Sequence, residues 1–216
     1  MKVLGLDPSL TNFGWAIHDT EADPLTRDCC VARGRFQTSA KTLYVARYME
    51  MRASLLALLK EYEPDRVSCE YPVFNDLWSE GMYGLFLFTS EALYLAKKDV
   101  VFFSPGQLKA HARHFLERPK GWKMLKGDMV DAARTHTGGG RWNHNEADAY
   151  WAAVSGSRFW MLLDEDLELE NLSPVERQQF TKIHTYIRGK KAGKTVKSGI
   201  LYREDERFHL WSKENS

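Results

Sequence analysis

The chain has 216 residues, 44% of them apolar, 27% charged and 12% aromatic, with 30 Lys and Arg against 29 Asp and Glu. That length suits one domain with an appended segment and is ample for a core, and the fractions exclude wholesale disorder. The near-zero balance hides a sorted distribution: residues 97–144 hold ten Lys and Arg against four Asp and Glu, and residues 145–170 hold one against seven.

From the N-terminus, Lys2–Leu6 is a short apolar run that turns at Asp7-Pro8-Ser9, and Phe13–His18 reads as a second strand. Gly5 and Gly14 suit close backbone approach at a sheet. Asp19–Asp28 is polar and contains Pro24, hence a loop, and Cys30–Phe36 supplies a third strand. Between Thr38 and Tyr62, apolar residues at Leu43, Ala46, Met49, Ala53, Leu56 and Leu59 follow a helical period, stopped near Glu63-Pro64. Asp65–Glu70 reads as a strand that delivers Glu70 at its C-terminal end, with Pro72 barring continuation. Ser79–Lys97 is apolar nearly all round, which predicts a buried helix. Val100–Phe103 is a further strand, and Ser104-Pro105 resembles a helix start.

Helices are predicted at Pro105–Leu116, Gly127–Arg134 and Asn145–Leu163, with the basic stretch Glu117–Lys126 and the glycines at 138–140 between them. The order predicts a mixed α/β fold, an antiparallel unit joined to parallel crossovers. We expect a domain over residues 1–163, an acidic linker at 164–170 (DEDLELE), and a basic extension over 171–216 with a helix from Pro174 to Ile187. No run approaches the ~18 apolar residues of a membrane span. Asp7 falls too early for a secretory leader. Cys29, Cys30 and Cys69 are odd in number and lack metal-ligand spacing, so a reduced, cytoplasmic setting is expected.

Three carboxylates stand where such a fold presents residues to one crevice. Asp7 ends the first strand, Glu70 ends a later one and Asp148 lies near the start of the last helix of the domain. Several carboxylate oxygens together suit Mg²⁺ or Mn²⁺. Spacing alone leaves them indistinguishable from three surface acids among 29.

The pattern LGLDPSLTNFGWAI, then VSCEYP, then NEADAYWAAV resembles the RuvC family of Holliday-junction resolvases, within the ribonuclease H-like superfamily, in order across about residues 1–160. VVFFSPGQLKAH and LKGDMVDAAR look like the family's two basic segments. The resemblance implies a ribonuclease H-like mixed sheet flanked by helices, and a metal-dependent endonuclease that cuts four-way DNA junctions by attack of water on a phosphodiester, leaving 5′-phosphate and 3′-hydroxyl ends. It implies Mg²⁺, with Mn²⁺ substituting, and a homodimer in the host's DNA-containing compartment, without a membrane.

Residue by residue, it makes Asp7, Glu70 and Asp148 metal-binding carboxylates. The family has a carboxylate or histidine three residues before the last of these, where this chain has Asn145. Glu146 is preferred as fourth ligand because an anionic oxygen binds a divalent cation better than an amide does. It reaches the site only if helix regularity begins at Asp148, and Asn145 and His144 remain alternatives. Lys109 and Lys126 are expected at the scissile phosphate, with Lys123 and Arg113 as further phosphate contacts. Phe74, or alternatively Tyr71, is the aromatic expected to stack on a base at the junction. The apolar helix after Glu70, with Met82, Leu85, Phe86 and Phe88, is the expected dimer face. Gly189–Thr195 imitates a phosphate-binding loop but has three residues between its glycines instead of four. Two other readings are a non-catalytic junction binder of the same fold and an actin-like ATPase, for which the chain is short.

Overall fold

The computed structural model describes residues 1–22, 29–71, 80–119, 121–181, 183–185, 195–197 and 200–211. Phe74 and most of Gly189–Thr195 lie outside them. The first three strands, β1 (Lys2–Asp7), β2 (Asn12–Asp19) and β3 (Cys30–Gln37), form an antiparallel meander. After helix α1 (Tyr44–Tyr62), β4 (Arg66–Glu70) pairs parallel with β1. After α2 (Glu80–Leu95), β5 (Val100–Phe103) pairs parallel with β4. Then follow α3 (Pro105–Phe115), α4 (Lys126–His136), α5 (His144–Leu163) and α6 (Pro174–Thr181), with a 3₁₀ turn at Leu169–Asn171 before α6. β6 (Ile183–Thr185) and β7 (Thr195–Lys197) make a separate two-stranded ribbon. β8 (Ile200–Glu204) and β9 (Arg207–Trp211) complete a seven-stranded sheet of order β3-β2-β1-β4-β5-β8-β9.

The period of two in β1 sorts its side chains between two layers. Leu4 and Leu6 join Phe13, Ile17 and the inner faces of α1 and α2. Val3, Gly5 and Asp7 face α5. A Cβ on Gly5 would stand 1.9 Å from the Ala149 carbonyl oxygen, and one on Gly14 would stand 2.2 Å from that of Asn145. These two glycines let the first half of α5 lie directly on the sheet, as their place in the sequence suggested.

α2 differs from the all-round burial expected. Leu85 is buried, and Met82, Phe86 and Phe88 pack against the same core, whereas Leu87 is 65% exposed. All four predicted interface residues thus help to build the monomer, and the outward face carries Leu87 and Tyr94 instead.

The division at residues 164–170 also changes. Asp164 accepts from Arg66, Leu167 and Leu169 pack on the core, and β8 pairs antiparallel with β5. Phe180, Ile200, Tyr202 and Trp211 are buried with Phe103, Phe159 and Trp160. α6 ends at Thr181, short of the predicted Ile187. Residues 172–180 and 200–211 are therefore part of the domain, because β5 would otherwise leave an open hydrogen-bonding edge and a bare apolar face.

Candidate functional site

Register brings Asp7 and Glu70 together. Leu6 is paired with Cys69 across the parallel β1–β4 pair, and Asp7 and Glu70 are the next residue on each strand. Both lie at strand C-termini on the face that carries α5, where open α/β sheets form a crevice. Asn143 caps α5, so the helix begins at His144 and Asp148 falls on its second turn.

The three carboxylates sense one another. Burial, then Glu70 and Asp148, push the Asp7 carboxyl well above the usual range, while Lys126 and Lys109 pull it down. Burial, then Asp148, raise Glu70 to about 8, against the pull of Lys109. Burial raises Asp148 to about 6, opposed by Lys109 and Lys126. Lys109 lies on α3 and Lys126 opens α4. Two lysines from neighbouring helices thus face three acids from β1, β4 and α5.

Among the described residues, no three acidic, histidine or cysteine side chains are gathered closely enough to enclose an ion as they stand. Three carboxylates whose ionised forms are disfavoured by burial and by one another still match the donor chemistry of a hard divalent cation, whose charge offsets both penalties.

Glu146 is not brought to this group. Its Oε1 accepts from the Asn143 side-chain amide at 2.8 Å, and its Oε2 lies 3.4 Å from the Asn143 backbone N–H in a capping box. Arg33 Nε lies 3.6 Å from the same Oε2. Regular helix from His144 onward turns Glu146 away from the face of Asp148, so the condition on which its selection rested is not met. Asn145 shares that face, is buried, and donates from Nδ2 to the Asn12 carbonyl, tying the start of α5 to β2. His144 is exposed; partial burial, then Lys126 and Arg35, lower its pKa.

The remaining predicted residues have other surroundings. Arg113 is one turn beyond Lys109 on α3, and Lys123 is exposed before α4; neither is among the cations acting on the three acids. Tyr71 donates its backbone N–H to Phe103 at 2.6 Å, and its ring meets Phe86 and Phe102 edge-on at 5.6 and 5.9 Å. That packing makes it part of the α2 layer instead of a platform offered to a base. Arg35, not singled out from the sequence, ends beside His144; only strand register could have revealed it.

Behind the lysines, His111 Nδ1 and Ser155 Oγ are 2.9 Å apart, and Nε2 lies 3.4 Å from Glu176. Burial would raise Glu176, but hydrogen bonds from His111 and Ser173 hold it at about 2. Glu176 also pairs with Arg158 at 3.2 Å. This links α3, α5 and α6 two residues from Lys109. A cavity of about 500 Å³ lies elsewhere, lined by His18, Phe115, His136, Ser157 and Arg158 among others. Ser157 is nine residues, or about 13 Å of helix, beyond Asp148, and none of the predicted residues lines the cavity.

No protein-family model matches the chain. It is 34% identical over 73 residues to crossover junction endodeoxyribonuclease RuvC of Erythrobacter litoralis, covering 34% of this chain and 43% of that one. It is 31% identical over 75 residues to RuvC of Paramagnetospirillum magneticum, covering 35% and 43%. The matched part spans less than half the length of these curated relatives. In structure, it is similar to Thermus thermophilus RuvC in complex with a Holliday junction substrate, with TM-score 0.60 and 18% identity over 75% of this chain and 96% of that one. The yeast mitochondrial Holliday junction resolvase Ydc2 aligns with TM-score 0.50 and 12% identity, over 76% and 80%. The chain is thus similar to RuvC over about a third of its sequence, and its fold is that of the RuvC-type resolvases.

Proposed function

We propose that this chain is a metal-dependent, structure-specific endonuclease that resolves four-way DNA junctions or related branched DNA. The observation that carries the reading is the convergence of Asp7, Glu70 and Asp148 from three separate elements, opposed by Lys109 and Lys126. The sequence relationship to RuvC supports it, and an ATPase reading has no comparable support.

Asp7, Glu70 and Asp148 would hold Mg²⁺, for which Mn²⁺ substitutes. Such an ion, when bound, lowers the pKa of water and offsets charge on the phosphate. Lys109 and Lys126 hold the scissile phosphate and offset the negative charge that develops on it. Asn145 acts on the site by anchoring α5, and so Asp148, against β2. Arg113 and Lys123 extend the basic surface toward the phosphates on either side.

A junction presents two equivalent strands, so paired incision calls for a two-fold dimer. The exposed Leu87 on α2, with Leu43, Val45 and Met49 around the start of α1, supports an interface on that side. Among the described residues, no helix is long and apolar enough to cross a membrane. The deciding experiment is nicking of an end-labelled four-way junction in Mg²⁺, in Mn²⁺ and in EDTA. Cleavage in either ion that EDTA abolishes is expected. Tight junction binding without nicking in either ion would favour the non-catalytic binder.

A further inference from the structure

β3 carries two arginines on the face that bears α5, and the fold uses them differently. Across the antiparallel strands, Gly5, Ala16 and Arg33 form one row, and Asp7, Gly14 and Arg35 the next. Residues directly opposed in such a row direct their side chains to the same face. Arg33 is engaged by Glu146, by the Arg141 carbonyl at 3.0 Å, and by the Trp142 ring 3.8 Å beneath its guanidinium. The side chain of Arg35 is exposed and has no hydrogen bond or ion pair with any described residue.

Between Asp7 and Arg35, Gly14 offers no side chain, and the start of α5 covers that gap. The exposed His144 stands at that helix start, hydrogen-bonded to Asn145 and within electrostatic reach of both Lys126 and Arg35. Arg35 is not among the cations that act on Asp7, Glu70 or Asp148, so it does not serve to neutralise them. Glu146, the acid nearest in sequence to His144, is already engaged by Arg33. Two strand spacings separate Asp7 from Arg35, about 10 Å.

We infer that Arg35, with His144 beside it, is a second phosphate-binding position for the DNA strand whose scissile phosphate lies at Asp7, Glu70 and Asp148. This rests on the endonuclease reading above. A strand carries one phosphate per ~3.4 Å of helix axis, so an offset of about 10 Å selects a phosphate two or three nucleotides from the cut. The planar guanidinium suits that ligand, since it can present two N–H groups to one phosphate.

The test uses the full chain, a four-way junction and a plain duplex. Arg35→Gln should weaken binding to both and lower the slope of log affinity against log salt by about 0.9, the value for one phosphate contact on duplex. Arg35→Lys should restore part of that slope. Lys60→Gln, on the opposite layer, controls for loss of one charge and should leave the slope unchanged. A single methylphosphonate two or three nucleotides from the cut should weaken binding by the wild type and not by Arg35→Gln. An unchanged salt slope, or equal sensitivity of both proteins to every methylphosphonate, would overturn the assignment. If the wild type binds DNA without nicking it, the endonuclease reading fails while the duplex salt slope still decides Arg35. If it binds neither DNA, both fail.

Discussion

Glu146 reaches Arg33, with 3.6 Å between Oε2 and Nε, and closes the N-terminal cap of α5 through Asn143. Its carboxylate therefore belongs to the start of the helix. Glu146→Gln keeps a capping side chain and removes a partly buried ion pair, so stability should fall by under about 1 kcal/mol. The Mg²⁺ concentration at half-maximal nicking should be unchanged. A several-fold increase would return Glu146 to the site. Asn145→Asp, in contrast, sets a carboxylate against the Asn12 carbonyl and should destabilise by about 1–3 kcal/mol in urea titrations.

Asp7→Asn and Glu70→Gln should each reduce nicking by on the order of 100-fold or more while junction binding persists, since each removes an anionic donor with little change of volume. Nicking within a few-fold of wild type in either variant would sink the metal-site assignment.

The same carboxylates make a prediction about pH. Folded pKa values of about 6 for Asp148 and about 8 for Glu70, with Asp7 also raised, lie above ordinary carboxyl values. A carboxyl raised by folding leaves stability intact below its unfolded pKa and lowers it as pH climbs through the folded value. The metal-free chain should therefore lose thermal stability between about pH 4 and 8. Glu70→Gln should raise Tm at pH 8 by roughly 3–6 °C, equivalent to roughly 1–2 kcal/mol. Mg²⁺ should raise the wild-type Tm more at pH 8 than at pH 5. A Tm that rises steadily with pH in EDTA would contradict this account.

Gly14→Ala places a methyl group against the Asn145 carbonyl, and Gly5→Ala places one against that of Ala149. Neither backbone oxygen can yield without moving α5, so a loss of about 1–3 kcal/mol is expected for each. Displacement of Asp148 by even ~1 Å should lower nicking by on the order of 100-fold. Gly127→Ala, in α4 with nothing within 4 Å of the new methyl, should be neutral or stabilising. Differential scanning calorimetry and single-turnover nicking separate the three.

Truncation after Glu170 removes Phe180, Ile200, Tyr202 and Trp211 and uncovers β5. Burial of each such side chain contributes about 1.5–3 kcal/mol, comparable in total with a whole domain's net stability. The truncated chain should be insoluble or molten. A soluble product with a cooperative thermal transition would show that residues 172–211 are dispensable to the fold.

For the proposed dimer, Leu87→Glu is the informative change, because that side chain faces outward while Leu85 is buried. Sedimentation should shift from dimer to folded monomer, and coordinated nicking of opposite strands should become independent. An unchanged dimer would move the interface off α2.

Local pattern determined much of this protein. Alternation in β1, Pro and Gly at the turns, and helical spacing in α1 and α5 name those elements because backbone geometry repeats over a few residues. The glycines at 5 and 14 announced close approach for the same reason, and strand-end position singled out Asp7 and Glu70. What lay beyond the sequence depends on partners far along the chain. Whether Glu146 faces the carboxylates depends on where α5 starts, which Asn143 and Arg33 decide together. Tyr71 reads as a loop aromatic until Phe86 and Phe102 enclose it. Arg33 and Arg35 are equivalent as letters, and only the register of three strands opposes one to Ala16 and the other to Gly14. Residues 200–211 read as part of a basic extension because they follow the charged, glycine-containing stretch Arg188–Gly199, although half of their side chains are apolar. They become sheet because β5 presents an unpaired edge about a hundred residues earlier, and no local pattern encodes that pairing.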